Sequence, residues 1–257
     1  VNFAPGTFTP APGRGRLGRM LLVQARTEAV LTLRNGEQAL LTVIIPIGLL
    51  VALALMSVIP MPEPRVGSAA ARVFALAVIS SAFTGQAIGL GFDRRYGVLK
   101  RLAATALPRW LLISGRMAAA FVVVAVQVVV LTVTALLLGW QPSLAGVAWG
   151  LLVIVLGTLT FGALGVLLGG ALRAEIVLAL ANIVWFLLLL VGGVALGVES
   201  MPGWAATIVH LLPSAALAEG LHTALVDGTA PAPRDVLVLS GWGAAAGALS
   251  LRTTKLS

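Results

Sequence analysis

Few side chains in this sequence could do acid–base, nucleophilic or metal chemistry, and they are scattered. Cysteine is absent, which excludes disulfides, thiolate nucleophiles and cysteine-ligated metals. The two histidines, His210 and His222, lie twelve positions apart with Glu219 between them. A metal centre would need at least one more good ligand and converging imidazoles, so they read as solvated or interfacial polar residues. Glu175 stands two places from Arg173, a spacing that suits a local ion pair. Nucleotide hydrolysis has no basis, because a phosphate-cradling loop needs glycine-rich backbone followed by Lys and Ser or Thr. The only lysines are Lys100 and Lys255, and neither follows such a loop. No paired acid and base or activated nucleophile is visible, and no enzyme, bound cofactor or metal is expected of this chain. Gln86, Gln127 and Asn182 remain, polar groups inside apolar runs. Such groups are costly in lipid and face either protein or a water-filled path, so pathway and helix-contact roles stay equally open.

The elements that would position these residues are read from composition. Only seventeen basic and nine acidic residues occur in 257, 59% of the chain is hydrophobic, and mean hydropathy is +1.05. A soluble domain carries about a quarter charged residues, so lipid is the expected solvent. A pI near 11.6 would suggest nucleic acid for a soluble protein. Here the basic residues cluster between apolar runs, as cytoplasmic loops do, and no nucleic acid is expected.

Residues 1–15 read as a flexible Pro- and Gly-rich tail without a secretory signal, and 16–36 as an amphipathic helix at the membrane interface. Residues 37–257 read as a six-span transmembrane domain, each span near the roughly 20 residues that a bilayer core requires. The expected spans are Ala39–Ile59, Ala69–Gly91, Leu111–Leu138, Leu144–Leu172, Ile176–Val198 and Val236–Leu251. Arg72 and Arg116, near span ends, could snorkel to headgroups. With the N-terminus inside, fourteen of the seventeen basic residues fall on the cytoplasmic side and three outside. That split places both termini in the cytoplasm by the positive-inside rule. High Ala, Val, Gly and Arg content suggests a GC-rich bacterium, and a bacterial plasma membrane is the expected location. Four G-x-x-x-G spacings, at 85/89, 165/169, 193/197 and 243/247, are candidates for close helix approach, although 29 glycines make chance repeats common.

The stretch DRRYGVLKRLAATALPRW, Asp93 to Trp110, holds five of the seventeen basic residues. Asp93–Leu102 reads as a short helix with Tyr96, Leu99 and Leu102 on one face. Arg94, Arg95, Lys100 and Arg101 are left to bond polar partners on the other sides. Pro108 stops the helix, and Trp110 marks re-entry at the interface. Spacing alone leaves two readings open, an element that docks into a partner's groove and a charged loop that only sets topology.

This stretch resembles the cytoplasmic loop of type-2 ABC exporter permeases, of which the daunorubicin-resistance type is nearest. Asp93, Arg94, Gly97, Leu99, Lys100, Arg101, Leu102, Thr105, Leu107, Arg109 and Trp110 fit the pattern. Asp93 departs from the usual Glu, and Ala106 from a common Pro. A second motif, MPGWAATIVHLLPSAALAEGLHTAL, resembles the family's extracytoplasmic segment at Met201, Pro202, Trp204, Leu212 and Pro213. The resemblance implies an all-α membrane protein of the type-2 ABC exporter permease fold, with six transmembrane helices preceded by an interfacial amphipathic helix. It further implies a cytoplasmic coupling loop over 92–110 and an extracytoplasmic re-entrant segment over 199–235, gated at Pro202, Trp204 and Pro213. Asp93, Arg94, Arg95, Tyr96, Gly97, Leu99, Lys100, Arg101 and Leu102 would couple to a separate ABC ATPase subunit, which holds the ATP and Mg. A second permease copy or sister permease would complete the pathway. The cargo would be a drug or antibiotic, a lipid or a lipid-linked glycan. An ion-coupled secondary transporter, weakened by the lack of buried carboxylates, and a membrane enzyme or assembly factor are the alternatives.

Overall fold

The computed structural model describes residues 16–34, 40–56, 61–103, 109–190, 194 and 202–253. Among these the protein is entirely helical. The proposed tail at 1–15, and Thr105, Leu107, Pro108 and Met201 of the two motifs, lie outside the described residues.

Helix α1, Leu17–Arg34, lies along the long helix α5, Arg109–Leu137. The contact works because Gly115 of α5 leaves room for Gln24, whose Cγ sits 2.5 Å from where a Cβ would be. Ala29 is buried there, while Leu22, Val23 and Leu31 stay exposed. Helix α2, Ile45–Leu55, is entered through a π-helical turn at Leu40–Ile44. Arg65 closes its far end, donating from Nε to Leu53 O at 3.0 Å and from Nη2 to Met56 O. These are the carbonyls that a helix end leaves without intrahelical partners.

Helix α3, Arg65–Arg95, runs 31 residues, about 46 Å at 1.5 Å per residue. Its first half, SAAARVFALAV, is almost wholly buried, since small residues let neighbouring backbones approach where lipid gives no hydrophobic drive to association. A seven-residue π-helical segment, Ile79–Gly85, interrupts it. A short helix α4, Val98–Ala103, follows. Helix α6, Leu144–Ala171, starts on Ser143, whose Oγ accepts from Gly146 N at 3.0 Å. It is the packing spine, touching α3, α9 and α10. Its Gly165 and Gly169 abut the backbone of α3 within the chain, rather than a second copy. Of the other spacings, Gly89 faces Arg116, Gly247 has open space beside it, and 193 and 197 lie outside the described residues.

Helix α7, Ala174–Leu190, packs on the second half of α3. Helices α8, Gly203–Val209, and α9, Pro213–Leu225, form a bent pair at 93°. Proline at the first position of α9 fixes the new helix start. Helix α10, Pro233–Thr253, closes the fold against α6 and α9. Among the described residues three helices are long and apolar enough to cross a membrane, Arg65–Arg95, Trp110–Leu137 and Leu144–Ala171, and the bent pair makes a fourth if taken as one span. Thr42–Leu55 and Ala174–Leu190 are apolar but shorter. The protein is therefore an all-α, multi-pass membrane protein.

Candidate functional site

At one end of the bundle the chain turns between α3 and α4. The expected single helix over Asp93–Leu102 is instead two pieces, because Gly97 takes the left-handed conformation, φ +68°, that ends helices. Tyr96 N donates to Phe92 O at 2.9 Å and Gly97 N to Arg94 O at 3.1 Å, closing α3. The break removes the shared face expected for Tyr96, Leu99 and Leu102. Tyr96 is 65% exposed, with its ring stacked on Phe92. Leu99 is 4% exposed and packs inside the chain with Leu90, Val166, Ile113 and Met117.

Three consecutive charged residues before the turn bind three different parts of the bundle. The Asp93 carboxylate accepts from Arg116 of α5, and Glu28 of α1 lies 4.0 Å from the same guanidinium. Arg94 Nη1 reaches the end of α6, at 3.2 Å from Gly169 O, 2.6 Å from Gly170 O and 3.1 Å from Leu172 O. A cation there answers both the unpaired carbonyls and the negative end of the helix dipole. Arg95 pairs with Glu175 at the start of α7. Glu175 thus bonds across helices to Arg95 rather than forming the local pair expected with Arg173. Arg116 does not snorkel either; it is 7% exposed and folds inward to Asp93.

Beyond the turn the polar groups point out. Lys100 and Arg101 are exposed, Leu102 is half-buried, and Arg101 Nη2 donates back to Tyr96 O at 3.3 Å. The segment thus has a rigid root in its own spans and an outward tip. Gly97→Ala should strain that junction by about 1–2 kcal/mol, the cost of a left-handed L-residue. Faster amide exchange across 94–103 with unchanged exchange in α6 would report it.

Above this junction a cavity of about 610 Å³ opens between α2, α3, α5 and α7. Its wall is mainly apolar, with Pro46, Leu49, Leu76 and Leu189, but Ser80, Thr84, Gln127, Asn182 and Trp185 add a polar strip. The π-helical segment supplies Ser80, Ser81 and Thr84; such insertions reposition side chains and recur at functional sites. Ser81 Oγ donates to Gln127 Oε1 at 2.7 Å, and Gln127 Nε2 to Thr42 O at 2.6 Å. Trp185 Nε1 donates to Ser80 Oγ at 2.9 Å. Gln127 is therefore placed both as a helix contact and on the cavity wall. Asn182 is exposed to the cavity and bonds only its own helix, at Leu178 O, 2.8 Å. Gln86 lines a smaller cavity of about 230 Å³ beside Glu28, Asp93 and Arg116, with its Oε1 buried and unbonded.

At the other end of the bundle, Pro202 precedes α8, Trp204 is 74% exposed, and Pro213 is buried at the start of α9. Among the described residues no group of three or more metal-ligating side chains converges. Glu28, Ser80 and Trp185 were not singled out in the sequence, and Arg116 was read as a snorkelling residue rather than as the partner of Asp93. The signal for Glu28 was that it is the one acid of α1, opposite in sign to Arg116 of α5.

Comparison with curated proteins returned no match. Against protein families, residues 21–226 match the one described as ABC-2 type transporter. The match spans the α1–α5 contact, the turn at Gly97, the cavity and the bent pair. Its domain is a non-catalytic transmembrane permease component that implies cooperation with an ABC ATPase subunit. The chain therefore belongs to the ABC-2 type transporter family.

Proposed function

We propose that the chain is the permease subunit of an exporter in a bacterial plasma membrane, with six spans and both termini cytoplasmic. A separate ATPase drives it, and a second permease copy or a sister subunit completes the pathway. The observation that carries this reading is the split character of the 93–103 segment. Asp93, Arg94 and Arg95 are bonded to α5, α6 and α7, while Tyr96, Lys100 and Arg101 face outward. A push on the exposed tip is delivered through short, charge-assisted contacts to three helices at once, which suits transmission of an ATPase's closure. The large cavity supports a hydrophobic or amphipathic cargo, because an apolar wall with a few placed polar groups is the usual form of such sites.

The test is a pull-down from mild-detergent membranes with the combined variant Tyr96→Ala, Lys100→Ala and Arg101→Ala. Leu99 is left intact because it is buried in the root. Wild type is expected to recover a P-loop ATPase, and the correctly inserted variant at least tenfold less, a loss of about 1.4 kcal/mol. Equal recovery would move the contact elsewhere. No ATPase with wild type, under conditions that preserve known transporter complexes, would favour an ion-coupled transporter instead.

A further inference from the structure

The bent pair is tied to α10 by a compact set of charges that the coupling reading does not use. His210 ends α8, Glu219 lies in α9, and Arg234 and Asp235 begin α10. Glu219 is shared between two partners. Its Oε1 lies 2.9 Å from His210 Nδ1, and its Oε2 accepts from Arg234 Nη2. Arg234 also lies 3.3 Å from Asp235 Oδ1, and Asp235 is only 2% exposed. A second tie joins the same pieces, with Trp242 Nε1 of α10 donating to Leu211 O at the corner, 2.9 Å.

The charge count of this set is odd. With neutral His210 it holds two carboxylates and one guanidinium, a net charge of −1. One added proton makes it neutral. The geometry shows where that proton belongs: His210 Nδ1 is buried and makes no aligned hydrogen bond, although a carboxylate oxygen is 2.9 Å away. An orphaned buried polar atom beside a carboxylate that shares its one guanidinium with Asp235 is costly, and protonation turns the two into an ion pair.

Among the described residues, the elements packed against the cluster bring few other titratable groups. Helix α6, packed against both α9 and α10, carries no charged residue between Leu144 and Ala171. Helix α3 brings Arg65 and Arg72. Helix α9 itself carries His222, three residues on from Glu219, and the His222 Nε2 lies 3.5 Å from Ser68 Oγ of α3. Asp227 follows α9 in an exposed turn.

We propose that His210 and Glu219 form a binding site for one proton, and that its occupation fastens the α8–α9 corner to α10. Histidine is the side chain that takes up a proton between about pH 5 and 8. The clasp is therefore tight when the outer face is mildly acidic and loosens as pH rises. Its consequence for export, a pH-dependent resistance to opening on the outer side, rests on the exporter reading; the proton site itself does not.

The chain lacks cysteine, so introduced labels report cleanly. Nitroxides placed by Thr207→Cys on α8 and Leu237→Cys on α10, both at exposed positions, give a distance across the clasp in lipid nanodiscs. The distribution is expected to narrow and shorten as pH falls. In His210→Gln that response is lost. In Glu219→Gln it is also lost, because the set is then neutral without a proton, with the distance held near its low-pH value. His222→Gln keeps the response. A pH-independent distance in wild type overturns the proposal, as does a response that survives in His210→Gln or Glu219→Gln, or vanishes in His222→Gln. None of these readings needs an ATPase or a substrate, so the exporter reading can fail while this one stands.

Discussion

Arg116→Ala is expected to loosen the junction around Asp93 more than any other single side-chain truncation in it. The guanidinium is the sole cation beside Asp93 and Glu28 among the described groups that line the smaller cavity, and its side chain is 9% exposed. Removing it leaves two carboxylates partly buried and facing each other's field. Breaking a buried pair costs about 3–5 kcal/mol; the low end applies because Asp93 keeps 30% of its side-chain surface. Thermal unfolding in detergent, followed by the intrinsic tryptophan signal, should fall by several degrees. Arg116→Lys should recover only part, since an ammonium lacks the planar fork that can face two carboxylates. The double variant Asp93→Asn with Arg116→Gln removes both charges and should recover more of the melting temperature than either single change. It should still weaken ATPase stimulation, because α1, α3 and α5 are then no longer joined by charge. An unaltered melt in Arg116→Ala would show that the contact carries no stability.

How much of this was legible in the sequence depends on whether a feature is local. Helix positions follow from apolar run length, and α3, α5 and α6 begin and end within a few residues of the expected spans Ala69–Gly91, Leu111–Leu138 and Leu144–Leu172. The count of six is not shown by the described residues, in which three helices, or four with the bent pair, are long and apolar enough to cross. The turn in the 93–102 segment was hidden for a different reason. Helical spacing treats Gly97 as a neutral position, whereas the backbone uses its freedom to reverse hand and split the face. Long-range charge pairing was the least legible of all. Glu175 was read with its near neighbour Arg173, but the fold brings Arg95 from eighty positions away, and no periodicity encodes that distance. The same holds for Glu219 and Arg234, joined across the 226–232 link that returns the chain from α9 to the head of α10.

The second large effect concerns the seam between α6 and α3, and Gly169→Ala is its sharpest probe. A Cβ there would sit 2.5 Å from Ala87 O and 3.0 Å from Leu90 Cβ; at Gly165 it would sit 2.7 Å from Phe83 O and 2.9 Å from Ala82 O. An ordinary carbon–oxygen approach is about 3.3 Å or more. The obstructing atoms are backbone carbonyls, so no rotamer change relieves the clash and the helices must part by several tenths of an ångström. That displacement also draws the Gly169 and Gly170 carbonyls away from Arg94, linking the packing seam to the junction. Each substitution is expected to cost at least the upper part of the overpacking range, about 1–3 kcal/mol. The pair together should leave little folded protein after detergent extraction, read as loss of the monodisperse peak in size exclusion. Gly241→Ala and Gly247→Ala in α10 are the controls, with no atom within 4 Å of either added methyl and a gain in helix propensity of up to about 1 kcal/mol. The contrast decides what the 165/169 spacing is for. A dimer contact would let both variants fold and merely change the assembly's size, whereas a seam within the chain makes folding itself fail.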